Sequence, residues 1–293
     1  MKKILNFGSL NVDYVYTTDH IVRGGETTAS NKMEVFPGGK GLNQSIALAR
    51  AGLSVYHAGL IGEDGDLLLS TLQADGVDTQ FVKKLEGRGG HTVIQVDKDA
   101  QNAILLFGGT NRAVTPEYAD EVLSHFEKGD ILLLQNEISS LSHIIDRAFE
   151  IGMEIWLNPS PMDETVKACD LNKVHGFFLN EIEGEELTGY GDPEVILDSM
   201  HWHYPNSVTV LTLGASGALY SGPDTCVFCP AEKAEAVDTT AAGDTFTGYF
   251  LRGLLDGRSP LAALQLASKA AAVAVSRPGA APSIPKYSEI ESV

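Results

Sequence analysis

The stretch ILLLQNEISSLSHIIDRAFEIGMEIWLN, Ile131 to Asn158, carries two apolar runs of strand length, ILLLQ and EIWLN, separated by a helix-like segment. The alternation continues downstream with GFFLN from Gly176, the helical NEIEGEELTG, and VTVLTL from Val208. Strand-length apolar runs alternating with helices predict βαβ units around a parallel sheet buried on both faces. Each run ends at or beside polar residues: Gln135, Asn136 and Glu137, then Asn158, then Asn180, then Thr212. A single polar residue at such a place serves as a turn or cap. Four strand ends together predict a site, because open α/β sheets bind ligands outside the carboxyl ends of their strands.

The whole chain bounds what that site takes. Its 293 residues suffice for one large domain or a domain with a small appendage. Hydrophobic residues at 43% and charged residues at 20% match an ordinary globular protein. Asp and Glu number 39 against 21 Lys and Arg, a formal net charge of -18 with no basic stripe to reverse it. Such a surface repels nucleic-acid phosphates and anionic lipid, so neither a polynucleotide nor a membrane is an expected partner. A small anion is still accessible to backbone N–H groups and a bound cation. No window approaches the roughly 20 apolar residues of a membrane span, and the start MKKILNFGS is too short for a signal peptide. Three cysteines, Cys169, Cys226 and Cys229, do not make a disulfide framework. These features predict a cytoplasmic protein.

Near the N-terminus KILNFGSLNVDYVY reads as a strand on which Asn11 and Asp13 project to the same side. Two hydrogen-bonding side chains on one face suit vicinal hydroxyls. Alternating stretches such as HTVIQVD and NAILLFGG predict a small antiparallel sheet formed by two insertions, residues 13–36 and 89–109. Folded together over the site they would make a lid on an α/β domain of residues 1–12, 37–88 and 110–293. The lid's exposed edges invite pairing with a second copy, which predicts a homodimer.

Two motifs carry chemistry. PGGKGLNQSIALARAG, from Pro37, joins a glycine-rich turn to an apolar-periodic helix starting near Asn43, so backbone comes close to a ligand while Lys40 and Asn43 donate hydrogen bonds. It is not a nucleotide P-loop, since Glu34 and Gly41 stand where that motif needs Gly and Ser or Thr, and no Gly-x-Gly-x-x-Gly follows the first strand. In VDTTAAGDTFTGYF, Val237 to Phe250, the small residues Thr239 to Gly243 precede a helix marked by Phe246, Phe250 and Leu254. Ala241 to Asp244 then form its N-terminal turn, whose unpaired N–H groups and dipole suit phosphate oxygens. An aspartate there serves either as a cap or as the acceptor of a hydroxyl proton in phosphoryl transfer. Asp238, at the other end, is better placed to complete a cation site than to act as a second base.

In order along the chain, GSLNVD, PGGKGLNQ, NEIE, TLGASG, DTTAAGDTF and SRPGAAPSIP resemble the motifs of the ribokinase-like (phosphofructokinase B type) carbohydrate kinases over nearly the whole length. GGKGLNQ and PGAAPSIP are most similar to the ribokinase branch. The resemblance implies a three-layer α/β/α fold with a β-sheet lid, and ATP-dependent phosphorylation of a free sugar, D-ribose, at its primary hydroxyl. It implies that Asn11, Asp13, Gly39, Lys40, Asn43 and Glu137 line the sugar pocket, that Asp244 is the base, and that the N–H groups of Ala242 and Gly243 form the anion hole. It places Thr212, Gly214, Gly217, Ala241, Gly243 and Ser268 at the nucleotide. Asn180 and Glu183 organise magnesium and phosphate through water, with Asn180 also at the nucleotide. Asp238, Thr240, Ala274, Arg277, Gly279 and Ser283 surround a monovalent cation, for which oxygen-only ligands suit potassium.

Two positions depart from the family pattern. Ala241 stands where Gly is usual, which puts an extra methyl at the mouth of the anion hole, and Ser268 stands where ribokinases often carry Asn near the adenine. Within the same fold a fructokinase or nucleoside kinase is the alternative, and outside enzymes a sugar-binding regulator without catalysis. Retention of Asn180, Glu183, Gly243 and Asp244 together argues against the regulator. Cys226 with Cys229, and His201 with His203, lack partner pairs at zinc spacing and are read as structural.

Overall fold

The computed structural model describes residues 2–99 and 101–291. In chain order the strands are β1 (Ile4–Phe7), β2 (Asn11–Thr17), β3 (Lys32–Gly38), β4 (Val55–Ile61), β5 (Asp78–Lys84), β6 (Gly90–Val96), β7 (Asn102–Phe107), β8 (Ile131–Gln135), β9 (Glu154–Asn158), β10 (Gly176–Asn180), β11 (Val208–Thr212), β12 (Gly217–Gly222) and β13 (Thr225–Pro230). The helices that matter below are α1 (Lys40–Arg50), α2 (Asp66–Ala74), α3 (Pro116–Leu123), α4 (Leu141–Ile151), α5 (Glu164–Lys167), α6 (Glu181–Thr188), α7 (Pro193–His203), α8 (Ala242–Leu255) and α9 (Pro260–Val275).

Nine strands form one sheet in the order β13-β12-β11-β10-β9-β8-β1-β4-β5. All its neighbours are parallel except the β12 and β13 ribbon, which returns antiparallel beside β11. The four apolar runs are β8 to β11, as their composition predicts. Each strand feeds two cores by its period-two alternation. Ile4, Ile131, Leu133, Trp156, Phe178 and Val210 pack with α1, α8 and α9. Leu5, Leu132, Leu134, Leu157, Phe177 and Leu211 pack with α3, α4 and α7 on the other face. The fold is the three-layer α/β/α arrangement.

Because side chains alternate, Gln135, Asn158, Asn180 and Thr212 continue the rows of Leu133, Trp156, Phe178 and Val210 and fall on the α1 and α8 face. The strand order also reverses there. From β1 the chain builds outward to β4 and β5, then returns to β8 on the other side of β1, leaving a crevice at the switch.

The second sheet has the order β3-β2-β6-β7. Its outer pairs are antiparallel, but the central pair is parallel, with Asn11 opposite Gly90. This corrects the expectation of a wholly antiparallel sheet. β2 and β6 each begin an excursion from the same side of the main sheet and run outward together, while β3 and β7 are the returning strands. KILNFGSLNVDYVY is likewise two strands of two sheets, parted at Gly8 to Leu10. Gly8 is needed at the break, since a methyl there would collide with Gln135 Oε1 and lie 2.7 Å from Gly41 Cα.

Candidate active site

Helix α8 opens on Ala241, whose φ of 61° and ψ of 9° are left-handed and whose methyl offers no cap to the N–H groups that follow. The Ala242 N–H donates to the Thr239 carbonyl at 3.2 Å, whereas a methyl built on Gly243 would meet nothing within 4 Å. Open space over the first turn is what an anion needs. Asp244, the third residue of the helix, is buried and accepts from Asn43 Nδ2 at 3.1 Å and from Gln44 Nε2 at 2.9 Å. Both donors lie on α1, which starts at Lys40, three residues before the periodic pattern alone suggests. α1 crosses α8 closely because Gly248 faces Ala47, where an added methyl would lie 2.6 Å from the alanine Cβ. That contact brings residues 200 apart in sequence within reach.

Beside this pair stands a wall of polar side chains at the base of the small sheet. Asn11 Oδ1 accepts from Asn111 Nδ2 at 2.7 Å, and Asn111 Oδ1 in turn accepts the Leu10 N–H at 3.1 Å. Asp13 Oδ1 accepts from Thr92 Oγ1 at 2.5 Å. Burial pushes Asp13 up to about 6, the Thr92 hydrogen bond opposing and the nearby Glu137 charge adding to the rise. Glu137 Oε2 accepts from Ser9 Oγ and from the Lys40 N–H at 3.1 Å, which closes the switch-point crevice between β1 and β8. Gly39, at φ 95°, turns the chain from β3 into α1 close against Ser9 and Asn11. Burial pushes the Lys40 ammonium down, yet the carboxylates of Asp244, Glu137 and Glu183 hold it above its usual range. Asn43 Oδ1 is buried without a partner, an acceptor that a sugar hydroxyl would satisfy.

Asn180 caps α6 reciprocally with Glu183: its Oδ1 accepts the Glu183 N–H at 2.8 Å, and Glu183 Oε2 accepts the Asn180 N–H at 3.0 Å. The two line a cavity of about 220 Å³ together with Lys40, Asn158, Ala241 and Asp244. Thr212, Thr239, Gly243 and Phe246 line both that cavity and a larger one of about 670 Å³. The larger cavity is walled by Gly214, Gly217, Ser268 and small residues such as Ala236, Ala271 and Ala272. Its volume falls in the ordinary range for small-molecule sites, roughly 300–1,000 Å³. Phe246 thus serves as core and as cavity wall, while Phe250 is core alone.

Asp238 ties two loops: its Oδ1 accepts the Thr240 N–H and its Oδ2 the Gly279 N–H, both at 2.9 Å. Burial raises its pKa, but these hydrogen bonds outweigh that and hold the carboxylate below its usual range. The Val237 and Asp238 N–H groups both donate to the Val275 carbonyl at the end of α9, which places the segment beside Ala274. The Arg277 guanidinium is turned to Glu289 Oε1 at 2.6 Å, and the Ser283 hydroxyl to the Ala280 carbonyl at 2.8 Å. Carboxylate and helix C-terminal carbonyls make an oxygen-rich, negative setting that fits a hard monovalent cation. Elsewhere, Cys226 is exposed and Cys229 buried on β13, and His201 and His203 are exposed at the end of α7.

Four contributors are absent from the motif reading as functional side chains: Ser9, Gln44, Thr92 and Asn111. Ser9 and Gln44 lie inside the quoted GSLNVD and PGGKGLNQ motifs, and Asn158 is marked only as a polar strand end in the same row as Gln135.

A polar wall, a carboxylate at an open helix start and a cavity of small-molecule size suit a phosphotransferase with an alcohol acceptor. The model of the pfkB family carbohydrate kinases matches residues 1–287, and the chain belongs to that family. It is similar to the ribokinase of Bacillus subtilis, 33% identical over 301 residues that cover 100% of this chain and 99% of the relative. Among solved structures, ribokinase from Thermotoga maritima superposes with a TM-score of 0.88 at 31% identity, covering 100% of this chain and 99% of that one. Arabidopsis thaliana ribokinase complexed with ribose and ATP superposes with a TM-score of 0.87 at 26% identity, covering 99% and 98% respectively.

Proposed function

We propose that this chain is a kinase that transfers a phosphoryl group from ATP to the primary hydroxyl of D-ribose, giving D-ribose 5-phosphate. The carrying observation is Asp244, a carboxylate held by two amides at an open helix start between the polar wall and the 670 Å³ cavity. Asn11, Asp13, Gly39, Lys40, Asn43 and Glu137 hold the sugar, and Asp244 accepts the hydroxyl proton late in a loose transition state. The Gly243 N–H, joined by that of Ala242 once it leaves Thr239, and the Lys40 ammonium meet charge developing on the transferred oxygens. Thr212, Gly214, Gly217, Ala241 and Ser268 receive the nucleotide.

Asn180 and Glu183 would hold magnesium through water, and a bound magnesium ion supplies charge neutralisation for the ATP phosphates. Asp238, Thr240, Ala274, Arg277, Gly279 and Ser283 would hold potassium, several of them through backbone carbonyls, and the ion would steady the loop that leads into the anion hole. The lid presents exposed apolar side chains on both edge strands, Met33 and Val35 on β3 and Ile104, Leu105 and Phe107 on β7, which supports a homodimer through that sheet. Among the described residues no helix is long and apolar enough to cross a membrane. The assigned compartment is the cytoplasm, where ATP is available.

The test is ADP release from MgATP with potassium present, against ribose, deoxyribose, fructose and adenosine, with Asp244→Asn as control. Turnover on ribose that falls at least about 100-fold in the control is expected for loss of a general base. Preference for fructose or adenosine would move the substrate and leave the mechanism. Sugar binding by calorimetry without any turnover would replace the enzyme reading with that of a regulator.

A further inference from the structure

We propose that Gln44 is the positioning residue of the base, and that it sets the distance between Asp244 and the phosphate side of the site through Asn158. The inference rests on the assignment of Asp244 as base.

Gln44 is fully buried on α1. A buried amide is costly unless its groups are paired, and here the pairing runs straight into the chemistry. Gln44 Nε2 donates to Asp244 Oδ1 at 2.9 Å and to Asn158 Oδ1 at 3.2 Å. Its Oε1 accepts from Gln135 Nε2 at 2.5 Å. Gln135 Nε2 also donates to Asn6 Oδ1 at 2.9 Å, and Asn6 Nδ2 donates to the Gly41 carbonyl at 2.7 Å and to Ser45 Oγ at 2.8 Å. Ser45 is backed by His57 Nδ1 at 2.7 Å. The chain of side chains spans β1, α1, β4, β8 and β9, so four strands and a helix fix one amide.

Its direction is set by chemistry. An ionised carboxylate accepts and cannot donate, so Gln44 presents its NH₂ to Asp244 and its carbonyl to Gln135. Each donor in the row then polarises the next. Side-chain amides do not titrate in the working pH range, so the row orients the base without offering it a competing proton. On the other branch, Asn158 Nδ2 donates to the Phe178 carbonyl at 3.1 Å and approaches Glu183 Oε2 at 3.4 Å, the carboxylate oxygen that closes the Asn180 cap. The two protons of one NH₂ group therefore span the base and the phosphate-side motif, the separation on which in-line transfer depends.

Gln44→Met keeps the length and removes the donors. We expect kcat to fall about 10- to 100-fold, the scale of a small misplacement of a reacting group. KM for sugar and ATP, and sugar affinity by calorimetry, should stay within about threefold, because uniform binding is untouched. Added to Asp244→Asn, the same substitution should leave the residual rate unchanged, as two residues acting through one carboxylate are not additive. Gln44→Asn, which keeps a buried amide but reaches one methylene less far, should reproduce the kcat loss and serves if the methionine variant does not fold. An unchanged kcat in either folded variant overturns the proposal, as does a loss confined to KM or a further loss in the Asp244→Asn background. Full activity of Asp244→Asn alone is a different outcome and would overturn the assignment of the base instead.

Discussion

The polar wall proposed to hold the sugar and the cavity proposed to hold the nucleotide are made of different material. On the sugar side Asn11, Asp13, Asn43 and Glu137 each have a named partner at hydrogen-bond distance. On the nucleotide side the lining is mostly glycine, alanine and aliphatic, with Thr212, Thr239 and Ser268 as its hydroxyls and Glu232 and Lys233 as charges among them. On the proposed assignment, one side would recognise by directed hydrogen bonds from side chains that cannot move without leaving a buried partner orphaned. The other would recognise by shape and backbone. Discrimination should therefore be steep for the sugar and shallow for the nucleotide.

The most severe break of this contrast is expected at Asp13. Asp13→Ala should raise the sugar KM by about 100-fold or more, since it removes a charged acceptor and orphans Thr92, with KM for ATP nearly unchanged in steady-state kinetics. The pH dependence follows from its pKa of about 6. As pH falls through that value Asp13 takes up a proton and the sugar KM should rise, while KM for ATP stays flat. The same shift carries a stability consequence. A carboxyl raised from 3.8 to about 6 destabilises the fold when ionised, and that cost is relieved as pH drops from 6 toward 3.8. Asp13→Asn should therefore be more stable than the parent at pH 7, by up to about 3 kcal/mol in denaturant titration.

His57 sharpens the contrast from behind the wall. Burial pushes it down to about 3 from 6.5. Its neutral form is favoured by folding, so the stability is fully present above 6.5 and is lost as pH falls toward 3. Between pH 6.5 and 5 the loss should reach about 2 kcal/mol, at up to 1.4 kcal/mol per pH unit. His57→Gln should flatten that acid limb, read as Tm against pH. Asp13 and His57 slope in opposite directions, so each variant should expose the other.

A smaller effect is expected across Gly243. Ala272→Leu intrudes on the 670 Å³ cavity and should raise KM for ATP about tenfold by overpacking, with sugar KM unmoved. The smallest concerns Ala241. Left-handed backbone costs alanine about 1–2 kcal/mol, while glycine costs about 0.5–1 kcal/mol in flexibility, so Ala241→Gly should stabilise the chain by about 0.5 kcal/mol in denaturant titration.

Much of this layout was legible in the sequence because it depends on local pattern. The runs ILLLQ, EIWLN, GFFLN and VTVLT became adjacent strands in one sheet, and their polar ends share one face because alternation is a property of the strand. What could not be read depends on pairing across distance. Asn111 reaches Asn11 across 100 residues, Thr92 reaches Asp13 across 79, and Gln44 reaches Asp244 across 200. No periodicity records such contacts. The parallel centre of the small sheet was hidden for the same reason: alternation within HTVIQVD is identical whichever way its neighbour runs. The left-handed Ala241 runs against the residue's own preference, and only the surrounding turn imposes it.

β1 lies near the middle of the main sheet although it precedes every other strand described. Its neighbour β4 follows at Val55, but its other neighbour β8 starts only at Ile131, and the helix bearing Asp244 only at Ala242. Both lid excursions are complete before that second edge of β1 is covered, and an uncovered edge is a template for unwanted pairing. Most of the side chains proposed to hold the sugar thus precede the proposed base by 100 residues or more in the chain. A chain cut short before Ala242 would carry the polar wall and the small sheet but not the carboxylate proposed as base.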